Sequence, residues 1–420
     1  MKIKNLIKSI LAVALTVSMT ACNDEVMSVV QEVPDYHRSI EDAQKDLMDI
    51  LGVVDGNNSR TSTTRSIDNI YTRNFSDNAS RSANWQDVYI FNFSNEQGFA
   101  IMSTDTRIPS LLALANNGNL NENDTIDNPG LELFLSSTRI PGDLPIPDTF
   151  EKIDPTEPGA PYGTVETWTT EVTLPNGLCS VKWGQDRPYN QYCPVKRDTV
   201  CPTGCVPTAV AQLMSYYEYP TSYRNYTFDW PEMKLTYGSY FYTYEGANQL
   251  ARLMQQLGLK ENLDVRYSPT SSPASMYNIP KVFKSFGYSN GGYISDYNIE
   301  NIVSEIKSNR PVIAGGNSDE YGHCWLIHGL MTRTQSVSNK TALGTIVPAY
   351  TKKYYYVMCN WGWNGYADGY YLSEYFDTDR GPKYGDASTS DYLISGPENK
   401  NDTDEGYFKK NLNIVTGIRK

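Results

Sequence analysis

Residues 201–220 read CPTGCVPTAVAQLMSYYEYP. Beyond Cys205, apolar residues recur at Val206, Val210, Leu213, Met214 and Tyr217, the spacing of one helix face. Proline is tolerated only in a first helical turn, so Pro207 sets the start and places Cys205 at the N-cap or first position. Tyr219-Pro220 ends the helix. Unpaired N–H groups and the helix dipole make that end positive. A thiol there is expected to titrate below its free value of about 8.5. The same N–H groups can hold an oxyanion formed on an attacked carbonyl. Gly204 lets another backbone approach closely, and Cys201, a turn earlier in the loop, gains less from the dipole. Competing readings of Cys205 are a buried core cysteine and a Cys201–Cys205 bridge or half a metal site. The CxxxC spacing is weak evidence for zinc, because no second compact pair follows.

A thiol nucleophile needs a base, and the chain has three histidines, His37, His323 and His328. In RPVIAGGNSDEYGHCWLIHGL, residues 311–316 read as a strand, and HCWLIHG as a second one starting at His323. His328 lies an odd number of residues further on and faces the other side. His323, directly after Gly322, is therefore the better base. His328 and His37 are read as structural. Asn360 ends the strand YYYVMCN and can accept from the distal imidazole N–H, with Trp361 or Trp363 shielding that bond. Gln185, in KWGQDRPYNQYCP, offers an amide N–H as a second oxyanion donor.

The 420 residues exceed one ordinary core, and 40% hydrophobic with 20% charged residues is a globular balance. A net charge of -12 without a basic cluster argues against nucleic-acid binding. Residues 1–21 read as an export leader: Lys2, Lys4 and Lys8, then the apolar run ILAVALTVSM, too short to span a membrane. MTAC ends at Cys22 and resembles a bacterial lipoprotein box, with Met19 for the usual leucine. This implies a lipidated Cys22 and a stably anchored protein at the outer membrane or cell surface, open to release by later processing. Residues 22–140 form a first α+β domain. In it SIEDAQKDLMDILGVV is a helix with Ile40, Ala43, Leu47 and Leu51 on one stripe and Ser39 as N-cap. DVYIFNFSNEQGFAIMSTD is a hairpin turning at Gly98. A proline-rich linker covers 141–165, the chemistry-bearing domain 166–398, and a polar tail 399–420, whose LNIVTGI can dock as a last strand.

WGQDRPYN, GCVPTAVAQLMSYYEYP, GHCWLIHG and CNWGWNGYADGYY, in that order, resemble the streptopain family of papain-like cysteine peptidases. VYIFNFSNEQGFAIMSTDTRIP resembles that family's inhibitory propeptide. The resemblance implies an α+β fold, with a nucleophile helix packed on an antiparallel sheet behind a smaller α+β propeptide. It implies Cys205 as nucleophile, His323 as base, Gln185 in the oxyanion hole and Asn360 with Trp361 supporting the histidine. It also implies substrate contacts at the Gly322 backbone and, through YSPTSSPAS, at Ser271. Cys324 stands where the family commonly has alanine, and His328 replaces a frequent aspartate. The implied activity is that of an endopeptidase made as a zymogen, acting on proteins or peptides without metal or cofactor. The alternative is a non-catalytic surface binding protein on a degenerate peptidase fold. Disulfide pairing and oligomeric state are not legible.

Overall fold

The computed structural model describes residues 36–56, 65–74, 87–137, 161–238, 243–317, 322–341, 343–376 and 410–420, all within one compact unit, Tyr36–Lys420. The leader, Cys22, most of the proline-rich linker and the start of the tail lie outside these residues.

The first region opens with α1 (Ile40–Val54). Its N-cap is Ser39, whose hydroxyl oxygen accepts from the Asp42 N–H at 3.1 Å. Ala43, Leu47, Ile50, Leu51 and Val54 form the buried face. Ile40 lies on the same stripe but at the first helical position, and is 38% exposed. Strands β1 (Ile67–Asn74), β2 (Asp87–Phe93), β3 (Phe99–Ser103) and β4 (Leu111–Ala115) form an antiparallel meander. Gly98, at the β2–β3 turn, has φ +100° and would place a Cβ 2.0 Å from the Ala115 carbonyl oxygen, so only glycine fits. The short helix α2 (Pro129–Ser137) closes the region.

The second region begins with β5 (Pro161–Thr173) and a small hairpin, β6 (Val195–Lys196) and β7 (Thr199–Val200). Then come α3 (Cys205–Tyr217), the hairpin β8 (Ser222–Tyr223) and β9 (Tyr226–Thr227), α4 (Trp230–Lys234), α5 (Tyr244–Gly258) and α6 (Ile279–Ser285). The chain continues through β10 (Asn290–Asp296), α7 (Ile299–Lys307), β11 (Val312–Asn317), β12 (Gly322–Thr341), β13 (Ile346–Asn360) and β14 (Gly369–Leu372), ending in β15 (Lys410–Arg419).

One antiparallel sheet runs β1-β2-β3-β4-β14-β13-β12-β11-β15-β10, with β5 paired to the far half of β12. The docked tail strand is thus present, lying between β11 and β10. The sheet also crosses from the first region to the second through β4–β14, where Gly369 faces Ala115. A side chain at Gly369 would sit 2.2 Å from the Leu114 carbonyl oxygen, so the junction depends on that glycine.

Two hydrophobic cores share this sheet. One joins α1, β2–β4 and α2 to Trp325, Ile327, Tyr356, Cys359, Trp361 and Tyr371. The other joins α3, α5 and α6 to Cys324, Leu326 and Val415. Strand alternation at the start of β12 explains the division, because Trp325 and Ile327 face the first core and Cys324 and Leu326 the second, before the register shifts between Ile327 and Gly329.

Candidate active site

The helix α3 begins at Cys205, its first residue, with Gly204 as N-cap at φ +94°. A Cβ on Gly204 would come within 2.2 Å of the Ser272 carbonyl oxygen, so both backbone conformation and close packing demand glycine. Thr208 Oγ1 donates to the Gly204 carbonyl at 2.9 Å and steadies the first turn. Among the described residues all six cysteines are free, so no Cys201–Cys205 bridge is present.

The N–H groups of Cys324, Cys205 and Val206 favour the Cys205 thiolate, but burial of the sulfur outweighs them and its pKa is raised. This corrects the expectation of a lowered value. The helix-end field is there, and desolvation exceeds it. The Cys324 N–H contact also brings the start of β12, where His323 stands, to the nucleophile helix.

His323 is buried, and its Nε2 lies 2.8 Å from the Trp361 carbonyl oxygen. A carbonyl only accepts, so Nε2 bears the proton and Nδ1 of the neutral ring is left as the acceptor. Burial lowers the His323 pKa to about 4, against the raising effect of that carbonyl. The ring is flanked by Trp325 and Trp361, with centroids at 6.2 and 6.3 Å.

Asn360 does not orient the imidazole through its side chain, which corrects the second expectation. Its Oδ1 accepts from the Gly362 N–H at 3.1 Å and from Gln212 Nε2 at 2.7 Å. Its Nδ2 donates to the Val181 carbonyl at 2.7 Å. Both acceptor sites of Oδ1 are taken, and the main chain of Trp361 takes the imidazole proton instead. Trp361 is buried; its N–H donates to Asp368 Oδ1 at 2.8 Å and its indole N–H to the Ala367 carbonyl at 3.0 Å. Burial raises the Asp368 pKa to about 7, against the lowering effect of the Trp361 N–H.

Gln185 is half-buried, and its carbonyl accepts from the Thr203 N–H at 2.9 Å, tying its segment to the loop that enters α3. Gly322 is exposed at the open end of β12, opposite Asn317. Ser271 sits in an exposed turn, bonded to Ser268, and Ser272 is the member of that loop lying against Gly204. His328 is buried on the other face, its Nδ1 accepting from the Cys179 N–H at 3.3 Å, with burial lowering its pKa to about 4. His37 forms a bridge to Asp105 in the first region.

The first region reaches the histidine side directly. A Cβ at Gly130 of α2 would lie 2.1 Å from the Trp361 ring, so the helix backbone rests on that indole. Leu133 lies close to Gly316, the residue in register with His323. The Asn116 N–H donates to the Asp368 carbonyl at 2.7 Å. Arg333 of β12 pairs with Asp46 of α1 at 2.6 Å and donates to Ser110 Oγ at 3.2 Å.

Sequence reasoning missed Gln212, Asp368 and the Trp361 carbonyl. Gln212 left one signal, an uncharged polar residue in the apolar run AVAQLM, two helical turns after Cys205. A main-chain acceptor leaves none.

Residues 183–371 match the Peptidase C10 family and residues 55–139 the Spi protease inhibitor family. Similar proteins include streptopain of Streptococcus pyogenes serotype M1, 26% identical over 328 residues, spanning 68% of this chain and 73% of that one. A second Streptococcus pyogenes streptopain is 25% identical over the same length and coverage. A solved prointerpain A fragment from Prevotella intermedia shares the fold, with a TM-score of 0.51 and 23% identity over 84% of this chain and 99% of the fragment. With a helix-end thiol beside a histidine strand and an inhibitor region on the same sheet, residues 183–371 form a Peptidase C10 family, streptopain-like cysteine peptidase domain, and residues 55–139 a Spi-type inhibitor domain ahead of it.

Proposed function

We propose that the protein is a lipid-anchored endopeptidase zymogen in which Cys205 attacks a peptide carbonyl and His323 moves the proton. The observation that carries this reading is the Nε2 bond to the Trp361 carbonyl, which leaves Nδ1 as the ring's proton acceptor. In the reaction, His323 Nδ1 takes the Cys205 proton and the sulfur adds to the carbonyl. The Cys205 N–H and the Gln185 amide hold the oxyanion, with the Gly322 backbone lining the cleft. The imidazolium returns the proton to the leaving amine. Water then cleaves the thioester, restoring the thiol and releasing the acid.

In the full chain a raised thiol pKa and a lowered imidazole pKa both favour the neutral pair, an idle resting form. The α2 contacts around Trp361 and Gly316 support propeptide latency through burial of the histidine side. Cleavage in the proline-rich segment would lift that cover and free the peptidase from a lipidated Cys22 at the outer membrane or cell surface. Mass spectrometry of membrane and medium fractions tests this. A lipidated amino-terminal fragment with a soluble peptidase fragment is expected, and full-length chain alone in both fractions overturns it.

Activity is tested by incubating the full chain and Cys205→Ala with casein and an epoxide thiol inhibitor. Inhibitor-sensitive cleavage lost in the variant is expected. Cleavage that survives Cys205→Ala, or no cleavage and no labelling of Cys205 after processing, removes the peptidase reading.

A further inference from the structure

Gln212 lies seven residues after Cys205, two turns along the same face of α3, and is completely buried. Its Nε2 donates to Asn360 Oδ1 at 2.7 Å and to the Trp183 carbonyl at 3.2 Å. Main-chain partners settle both amide orientations, because Asn360 Oδ1 accepts from the Gly362 N–H and Asn360 Nδ2 donates to the Val181 carbonyl. The Gly362 N–H and the Trp361 carbonyl belong to one peptide unit. Holding that N–H therefore fixes the plane of the carbonyl that takes the His323 proton.

Core stability does not account for the residue. Gln212 Oε1 is buried without a hydrogen-bond partner, a cost of about 1–3 kcal/mol that a methionine of similar volume would avoid. Neighbouring fit is tight as well: a Cβ at Gly362 would lie 3.0 Å from Thr208 Cγ2, so the 360–362 turn rests on α3 itself.

We infer that Gln212, acting through Asn360, is a positioning residue that holds the 361–362 peptide unit so that the Trp361 carbonyl fixes the tautomer and orientation of His323. One amide thus couples the nucleophile helix, the Trp183–Gln185 segment and the histidine's acceptor. The inference rests on the catalytic pair proposed above, but its first test does not require activity.

With three histidines in the chain, 15N-histidine labelling of the full-length protein yields three resolvable imidazoles. His323 is expected as an Nε2–H tautomer with a slowly exchanging ring proton. In Gln212→Met the fold persists with unchanged or higher Tm, while that proton exchanges faster and the tautomer preference weakens. After processing, kcat falls about 10- to 100-fold with KM little changed, the scale of a misplaced catalytic group. The limb of the pH profile set by His323 moves to lower pH, because the Trp361 carbonyl is what raises the His323 pKa. Asn360→Asp, which keeps the Gly362 acceptor, retains more activity than Asn360→Leu. Gln212→Met with parental His323 exchange, tautomer and pH profile overturns the inference, whatever its Tm. If that variant does not fold, Gln212→Glu, which keeps shape and loses the donor, is judged by the same readouts. A parent without Cys205-dependent cleavage removes the proposed function; the exchange and tautomer of His323 then decide the role of Gln212 alone.

Discussion

The two sides of the candidate catalytic pair rest on different cores. Cys205 rises from α3, whose buried face packs with α5, α6, Cys324 and Leu326 in a core made wholly by the second region. His323 is flanked by Trp325 and Trp361, which belong to the core shared with α1, the β2–β4 meander and α2. Changes in the inhibitor region should therefore act on the base and leave the thiol's scaffold intact. A peptidase held idle in this way can keep its nucleophile helix fully folded, since only the histidine side must be released.

The largest expected effect comes from Asp46→Ala. Arg333 is 1% exposed and would lose its counter-charge, and breaking such a pair costs about 3–5 kcal/mol. Denaturant unfolding of the full chain should show that loss, together with faster processing. Hydrogen exchange in α3 should be unchanged. Equal loss of protection in α3 would break the division between the two sides.

Leu213→Ala tests the opposite side. Leu213 is fully buried in the thiol-side core, and the cavity should cost about 2–5 kcal/mol. Latency, read as the rate of casein cleavage before processing, should stay at the parental level. Gly130→Leu sharpens the contact itself. Its Cβ has no room against Trp361, and overpacking costs about 1–3 kcal/mol. Earlier processing and faster alkylation of Cys205 in the full chain are expected; parental rates for both would remove α2 from the latency argument.

The pH response gives a subtler measure. His323 and His328 titrate at about 4 when folded, below the ordinary histidine value of about 6.5. Their contribution to stability is complete above pH ~6.5 and is lost as pH falls from there toward 4, because the unfolded chain takes up protons first. Chemical unfolding from pH 7 to 4 should show this decline, and replacing His328 with Gln should remove part of it. Asp368 has the opposite sign. Its raised value of about 7 means that its contribution fades as pH rises from 3.8 through 7. Asp368→Asn should gain on the parent as pH rises from about 4 to about 7 and keep a constant lead above that, the smallest effect here; a constant difference between about pH 4 and 7 would show that burial is not what raises this carboxyl.

Much of the site was legible because local chemistry is local in sequence. Pro207 with the apolar spacing after it marked the start of α3 and put Cys205 there, and Gly322-His323 marked the open end of a strand. The N-cap at Ser39, the turn at Gly98 and the final strand were legible for the same reason. The partners of Asn360 were not, since its amide joins residues 179 and 148 positions away in the chain. The thiol's pKa also escaped, because a helix end announces its field in sequence while the desolvation opposing it comes from elements that arrive later.

The sequence by itself determined the order of the functional segments, the position of the thiol on its helix and the choice among three histidines, because each depends on residues within a turn or a strand. Tertiary structure alone decided that a main-chain carbonyl, held by Asn360 and Gln212, receives the imidazole proton. It also decided that the first region continues the peptidase's own sheet through β4 and β14. Backbone acceptors carry no residue identity, and strand pairing across more than two hundred residues is set by which surfaces can be buried together.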